Sequence, residues 1–169
     1  MSIREALRRK LLIESEAEYN HREYLNWKRK NVSFRGMGEV GKENGGSAIL
    51  GAGLYTAALS NKKMAREYGT VSFVVNAVPK KPAVFNTLNE WEIWTWQKLY
   101  SVDGKPDKRA FFANNTIEGA MQKMGYDGVI IKGREMVVFN TENLDIRYYK
   151  DEEQVQDYYE MYVLDNDTI

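Results

Sequence analysis

The apolar positions change period several times along the chain, and each change marks an element. Ile3, Leu7 and Leu11 recur at four-residue spacing behind Ser2-Ile3-Arg4-Glu5, a capping box that opens a helix. The helical pattern runs, continuous or broken, to about Lys30. Val32-Ser33-Phe34-Arg35-Gly36 then reads as a short strand ending at a glycine. Residues 38–53 hold glycines at 38, 41, 45, 46, 51 and 53, a density that helices and central strands do not tolerate, so a functional or mobile loop is expected. Ser60 is placed to cap a helix over 61–68, stopped by Gly69.

Val71, Phe73, Val75 and Ala77 alternate as in a strand, with Pro79 and Pro82 ending it. A helix is expected over Glu90 to Tyr100, with tryptophans at 91, 94 and 96. These read as core or dimer-facing. Asn115-Thr116-Ile117-Glu118 signals another cap. Ile117, Ala120, Met121 and Met124 form the following helical stripe, and Gly125 stops it. Val129-Ile130-Ile131 and the run Met136 to Phe139 flank Lys132-Gly133-Arg134, a tight hairpin connection. A last strand is expected over Ile146 to Tyr149, and after Lys150 a short helix that frays. Helices first and hairpin-linked strands later predict an α+β fold with a mainly antiparallel sheet. One domain is expected over 1–169: an N-terminal helical segment at 1–30, a core at 31–150 and an acidic tail at 151–169.

Composition removes several chemistries. Lys+Arg and Asp+Glu each number 24 in 169 residues, so the net charge is zero and nothing global favours nucleic acid or an anionic membrane. Basic clusters at Arg8-Arg9-Lys10 and Lys28-Arg29-Lys30 read as solvated helix faces. No cysteine is present, which excludes a thiol nucleophile, thiolate metal ligands and disulfides. The single histidine, His21, cannot build a triad or a multi-histidine metal site, and no oxygen-ligand spacing implies a metal. No apolar run reaches membrane-spanning length and no signal-peptide core is present, so the expected location is cytoplasmic.

Three strand-edge pieces remain. They are Phe34-Arg35-Gly36; "GAGLYTAALSNKKMAREYG" at 51–69; and "EMVVFN" at 135–140, where the lone acid Glu135 precedes four apolar residues. Each alone has a plain structural reading: an edge arginine, a half-buried tyrosine and a rim charge that blunts a sheet edge. The glycine loop lacks both the GxGxxG spacing and the GK(S/T) ending of nucleotide loops.

In order, the three pieces resemble the ADP-ribosyltransferase family. The second is similar to the segment Gly-x-Gly-Ile/Leu-Tyr-Phe/Thr-Ala, followed by Ala-x-Tyr, of the diphtheria-toxin and poly(ADP-ribose) polymerase branch. The third resembles that branch's strand bearing the acid. The likeness spans about Val32 to Phe139. It implies two small, mainly antiparallel sheets split around a cleft for NAD⁺, with an N-terminal helical segment outside. It also implies cleavage of the nicotinamide–ribose bond, with NAD⁺ as co-substrate, no metal, and transfer of ADP-ribose to a macromolecular acceptor. A protein acceptor is the first expectation and nucleic acid an open one. Small stand-alone members from phages and bacterial effectors, acting in a host cytoplasm, are of this kind.

By the same resemblance Glu135 is the catalytic acid. Tyr55 and Tyr68 flank nicotinamide, Gly36 brings backbone polar groups to the carboxamide, and Thr56 and Arg35 complete the NAD⁺ contacts. The Tyr55–Tyr68 spacing is slightly longer than is usual in the polymerases. The polymerase-like branch has His where Arg35 stands; an arginine fork suits pyrophosphate or ribose better than proton transfer. Gly133 stands where arginine-modifying relatives carry Glu or Gln, which argues against arginine as target. Two alternatives stay open: NAD⁺ hydrolysis, and a non-catalytic NAD- or ADP-ribose-binding or protein-interaction module.

Overall fold

The computed structural model describes residues 2–37 and 48–164, apart from the side chains of 13 and 14. Residues 38–47 of the glycine-rich segment and 165–169 of the tail lie outside them. Helix α1 (Ile3–Asn31) is continuous. Ser2 accepts at its side chain from the Glu5 N–H at 3.2 Å, and Lys28, Arg29 and Lys30 complement the carbonyl end. Strands β1 (Val32–Met37) and β2 (Leu54–Ala57) come next, followed by helix α2 (Lys62–Arg66) and strands β3 (Thr70–Val75) and β4 (Pro82–Phe85). Helix α3 (Leu88–Trp94) widens into a π-turn over Thr95–Leu99. A two-stranded hairpin, β5 (Ser101–Val102) and β6 (Lys105–Pro106), precedes helices α4 (Lys108–Asn114) and α5 (Ile117–Lys123). Strands β7 (Gly128–Ile131), β8 (Glu135–Val138) and β9 (Arg147–Tyr149) lead to helix α6 (Glu152–Tyr158), which also continues as a π-turn.

Seven strands form one sheet in the order β4-β7-β8-β2-β1-β3-β9, all neighbours antiparallel except β4 with β7. The α+β class and the mainly antiparallel sheet are therefore as expected. The arrangement as two separate small sheets is not: β1 and β2 join them, though only at Phe34 opposite Ala57. Elsewhere the ladders are longer, six pairs for β1–β3 and four for β2–β8. One pair is enough for continuity while letting the halves twist apart.

The core follows the two halves. Trp91, Met121, Val129, Ile131 and Val137 pack where α3, α4 and α5 cover the β4–β2 half. Val32, Val75, Val155 and Tyr158 pack under the end of α1 and α6 on the other half, joined by Trp27. Between them Phe34, Ala57 and Ala65 form a third cluster under α2, over the single-pair junction.

Several local expectations change. Asn61, not Ser60, caps α2, its side chain accepting from the Met64 N–H at 3.2 Å. Pro82 opens the edge strand β4 instead of ending β3, an edge being where a missing N–H is tolerated. The short helix expected after Lys150 is present as α6, which buries Val155 and Tyr158, and the end of the tail lies outside the described residues. Among the tryptophans only Trp91 is fully buried, its indole N–H donating to the Ile49 carbonyl at 3.1 Å, while Trp96 is half exposed.

Candidate active site

Glu135 follows a three-residue turn. Gly133 takes φ +67°, which glycine adopts without strain, and the Arg134 N–H donates to the Ile131 carbonyl at 3.1 Å to close it. The Asn61 amide, from the cap of α2, donates to the Gly133 carbonyl at 3.2 Å and pins the same turn. The acid thus enters β8 between Ile131 on one side and Ala57 on the other. Its side chain is only 14% exposed. Burial pushes its pKa above the usual carboxylate value, and the Arg134 guanidinium, 3.7 Å away, partly opposes this.

Tyr55 stands opposite Val137, two residues along β8 from Glu135. Side chains alternate along strands, so Tyr55, Ala57, Glu135 and Val137 share one face. Phe34 opposite Ala57 extends that face to β1, and Gly36 falls on it as well. The Tyr55 hydroxyl donates to the Gly51 carbonyl and accepts from the Leu50 N–H, tying the ring to the end of the glycine segment. Burial pushes the phenol well above its ordinary pKa; the Leu50 N–H opposes this, and the negative charges of Glu135 and Glu118 add to it.

Gly36 admits no side chain. A Cβ there would stand 1.8 Å from the Ala65 carbonyl oxygen and 3.1 Å from the Tyr68 Cβ. The glycine lets α2 lie directly on β1, and this brings Tyr68 to it. Arg35 and Thr56 project from the opposite face by the same alternation. The Arg35 guanidinium nevertheless reaches β2, Nη1 donating to the Tyr55 carbonyl at 3.2 Å. Thr56 is 4% exposed, and its hydroxyl has no partner among the described residues; nor has that of Ser33.

The structure thus gathers Tyr55, Glu135, Gly36 and Tyr68 on one face around the junction, with Arg35 reaching its edge and Thr56 behind it. Two neighbours were not foreseen. Arg134 was legible as an adjacent charge. Asn61 was not, because its partner lies 72 residues away in sequence. An open cleft of about 420 Å³ lined by Asn114, Asn115, Thr116 and Lys123 contains none of these residues. Among the described residues no group of three His, Asp or Glu could hold a metal, and no helix is long and apolar enough to cross a membrane.

What the fold and site define is an α+β chain with a largely buried acid and a hydrogen-bonded tyrosine on one sheet face. Comparison with family models, with curated proteins and with solved structures finds no match to the chain.

Proposed function

We propose that the chain is a mono-ADP-ribosyltransferase acting on NAD⁺ at the junction between β1 and β2. One observation carries the reading. Glu135 is a fixed, largely desolvated carboxylate on the same face as Tyr55, and Tyr68 and Gly36 are packed against each other on the adjoining half. Those four residues come from three separate segments of sequence.

The chemistry suits them. Breaking the bond between nicotinamide nitrogen and ribose C1′ leaves neutral nicotinamide and develops positive charge on the ribose, as in glycoside cleavage. A carboxylate held beside C1′ in a partly dry site stabilises that charge and accepts a hydrogen bond from the 2′-hydroxyl. The acceptor's nucleophile then bonds to C1′ and loses its proton. The tyrosine rings offer faces to the flat, cationic nicotinamide ring. The Arg35 guanidinium at the junction offers charge for the pyrophosphate. The acceptor is a macromolecule, in the first instance a protein, in the manner of a phage or bacterial effector.

The test is incubation with labelled NAD⁺ and a cell lysate, beside Glu135→Ala. Label on a macromolecular band, lost in the variant, supports transfer. Free ADP-ribose without an acceptor replaces transfer by hydrolysis, and NAD⁺ binding with neither product replaces it by a binding module.

A further inference from the structure

Among the described residues nothing packs on the N-terminal two-thirds of α1. Every described side chain from Ser2 to Glu23 is exposed, and Tyr24 is the first to be buried. The stretch from Ile3 to Glu23, about 30 Å long at 1.5 Å per residue, is thus solvent-facing at every described side chain. In proteins most helical stability comes from packing of an apolar face and not from propensity. Yet the segment carries large apolar side chains: Ile3 is 82% exposed, Leu7 56%, Leu11 64% and Leu12 63%.

The charges around these residues are ordered. Arg4, Arg8, Arg9 and Lys10 occupy the beginning, against the single acid Glu5; Glu14, Glu16, Glu18 and Glu23 follow, against the single base Arg22. Helical spacing puts Arg4, Leu7, Leu11 and Glu18 on one stripe, at −7, −4, 0 and +7 from Leu11. The stripe is basic at one end, apolar in the middle and acidic at the other.

We propose that this stripe is the interface of a homodimer, α1 pairing antiparallel with α1 of a second copy about a two-fold axis at Leu11. In that register Leu11 meets Leu11, and Arg4 of each copy meets Glu18 of the other. The contact is isologous, as a two-fold interface requires. Parallel pairing would stack Arg4 on Arg4 and Glu18 on Glu18 and is disfavoured by the same charges. Self-complementarity of the stripe favours a second copy over an unrelated partner, and an acid within the stripe disfavours a lipid surface. The proposal is independent of the enzymatic reading, because the site residues lie in other elements.

The chain has no cysteine, so single introduced thiols report the register. At about 100 μM chain, above the micromolar range of transient complexes, sedimentation equilibrium is expected to show twice the chain mass. Leu11→Cys is expected to be bridged efficiently by a short bis-maleimide and Ile3→Cys poorly. Glu18→Arg should weaken the dimer at least tenfold, and Glu18→Arg combined with Arg4→Glu should restore it. All four positions are solvent-exposed in the single chain, so unchanged thermal melts control for folding. A single-chain mass at that concentration would overturn the proposal. So would equal cross-linking at positions 3 and 11, or failure of the double charge reversal to restore association.

Discussion

Tyr55 and Glu135 lie on the same face of adjacent strands, offset by two residue pairs, and the negative charge of Glu135 adds to the burial that already holds the Tyr55 phenol protonated. The acid in turn is buried between Ile131 and Ala57, with the Arg134 guanidinium 3.7 Å away as a counter-charge. Each group therefore keeps a fixed role at neutral pH: a neutral hydroxyl that holds the backbone at Leu50 and Gly51, and a carboxylate whose ionisation is harder than usual.

The acid's burial opposes stability. A carboxyl whose folded-state pKa is raised favours folding below its unfolded pKa, and that contribution is lost as pH rises through the higher folded value. Glu135→Gln, which mimics the protonated form, is expected to melt higher than the wild type, with a gap that widens as pH rises. Thermal melts at several pH values check this, and a pH-independent gap would contradict it. Glu135→Ala is expected to lower NAD⁺ turnover by about 10²–10³-fold, the scale of one lost electrostatic contact to a transition state.

Arg134 partly offsets the burial of Glu135. Removing it in Arg134→Ala is expected to move the acid limb of the kcat/KM–pH profile upward. The shift should be small, because the arginine side chain is 46% exposed and solvent screens it. An unmoved limb in a measured profile would mean that Arg134 does not act on Glu135.

Gly36→Ala inserts a Cβ where the Ala65 carbonyl already stands. The obstruction is backbone, so α2 must move. A loss of about 1–3 kcal/mol is expected, the usual cost of overpacking, read by urea denaturation. Tyr68 follows α2, so NAD⁺ affinity should fall in the same variant.

Tyr55 has two separable roles. Tyr55→Phe keeps the ring but deprives the Leu50 N–H and the Gly51 carbonyl of their partner. About 1–3 kcal/mol of stability should be lost, as for an unsatisfied buried group. Tyr55→Ala should in addition weaken NAD⁺ binding measured by calorimetry. Unaltered affinity would remove the ring from the nucleotide site.

The base of α1 is held by a charge cluster: Lys28 Nζ donates to both Glu152 oxygens at 2.7 Å, and the Tyr24 hydroxyl donates to one of them at 2.7 Å. Burial alone would raise the Glu152 pKa; the hydrogen bonds from Lys28 and Tyr24 outweigh it and hold the group below its usual value. Stability from this acid is therefore present above its unfolded pKa and lost as pH falls through the lower folded value. Glu152→Gln is expected to flatten the acid side of the stability–pH curve. Its effect at neutral pH should be about 1 kcal/mol or less, since Glu152 is 46% exposed. Chemical denaturation from pH about 6 down to about 3 checks it.

Much of the local structure was legible in the chain. Ser2, Thr116 and Gly133 announce a helix start, another helix start and a hairpin turn because each acts on backbone within three residues. Alternation at Val71, Phe73 and Val75 marks a strand for the same short-range reason. Ser60 and Pro82 misled because neighbours in space chose between adjacent options: Asn61 caps while also holding Gly133, and Pro82 lies on an edge that only the parallel pairing with β7 defines.

The sequence by itself determined the α+β class, the hairpin that delivers Glu135 to the start of β8, and the identities of the candidate site residues, because propensity, capping and turn geometry act within a few residues. Only the tertiary structure decided that one sheet replaces two, that Gly36 is filled by the Ala65 carbonyl, and that Arg35 leaves from the face opposite Glu135 yet reaches Tyr55. Those outcomes depend on strand order and register, which are fixed by packing between segments up to about a hundred residues apart and leave no local mark on the chain.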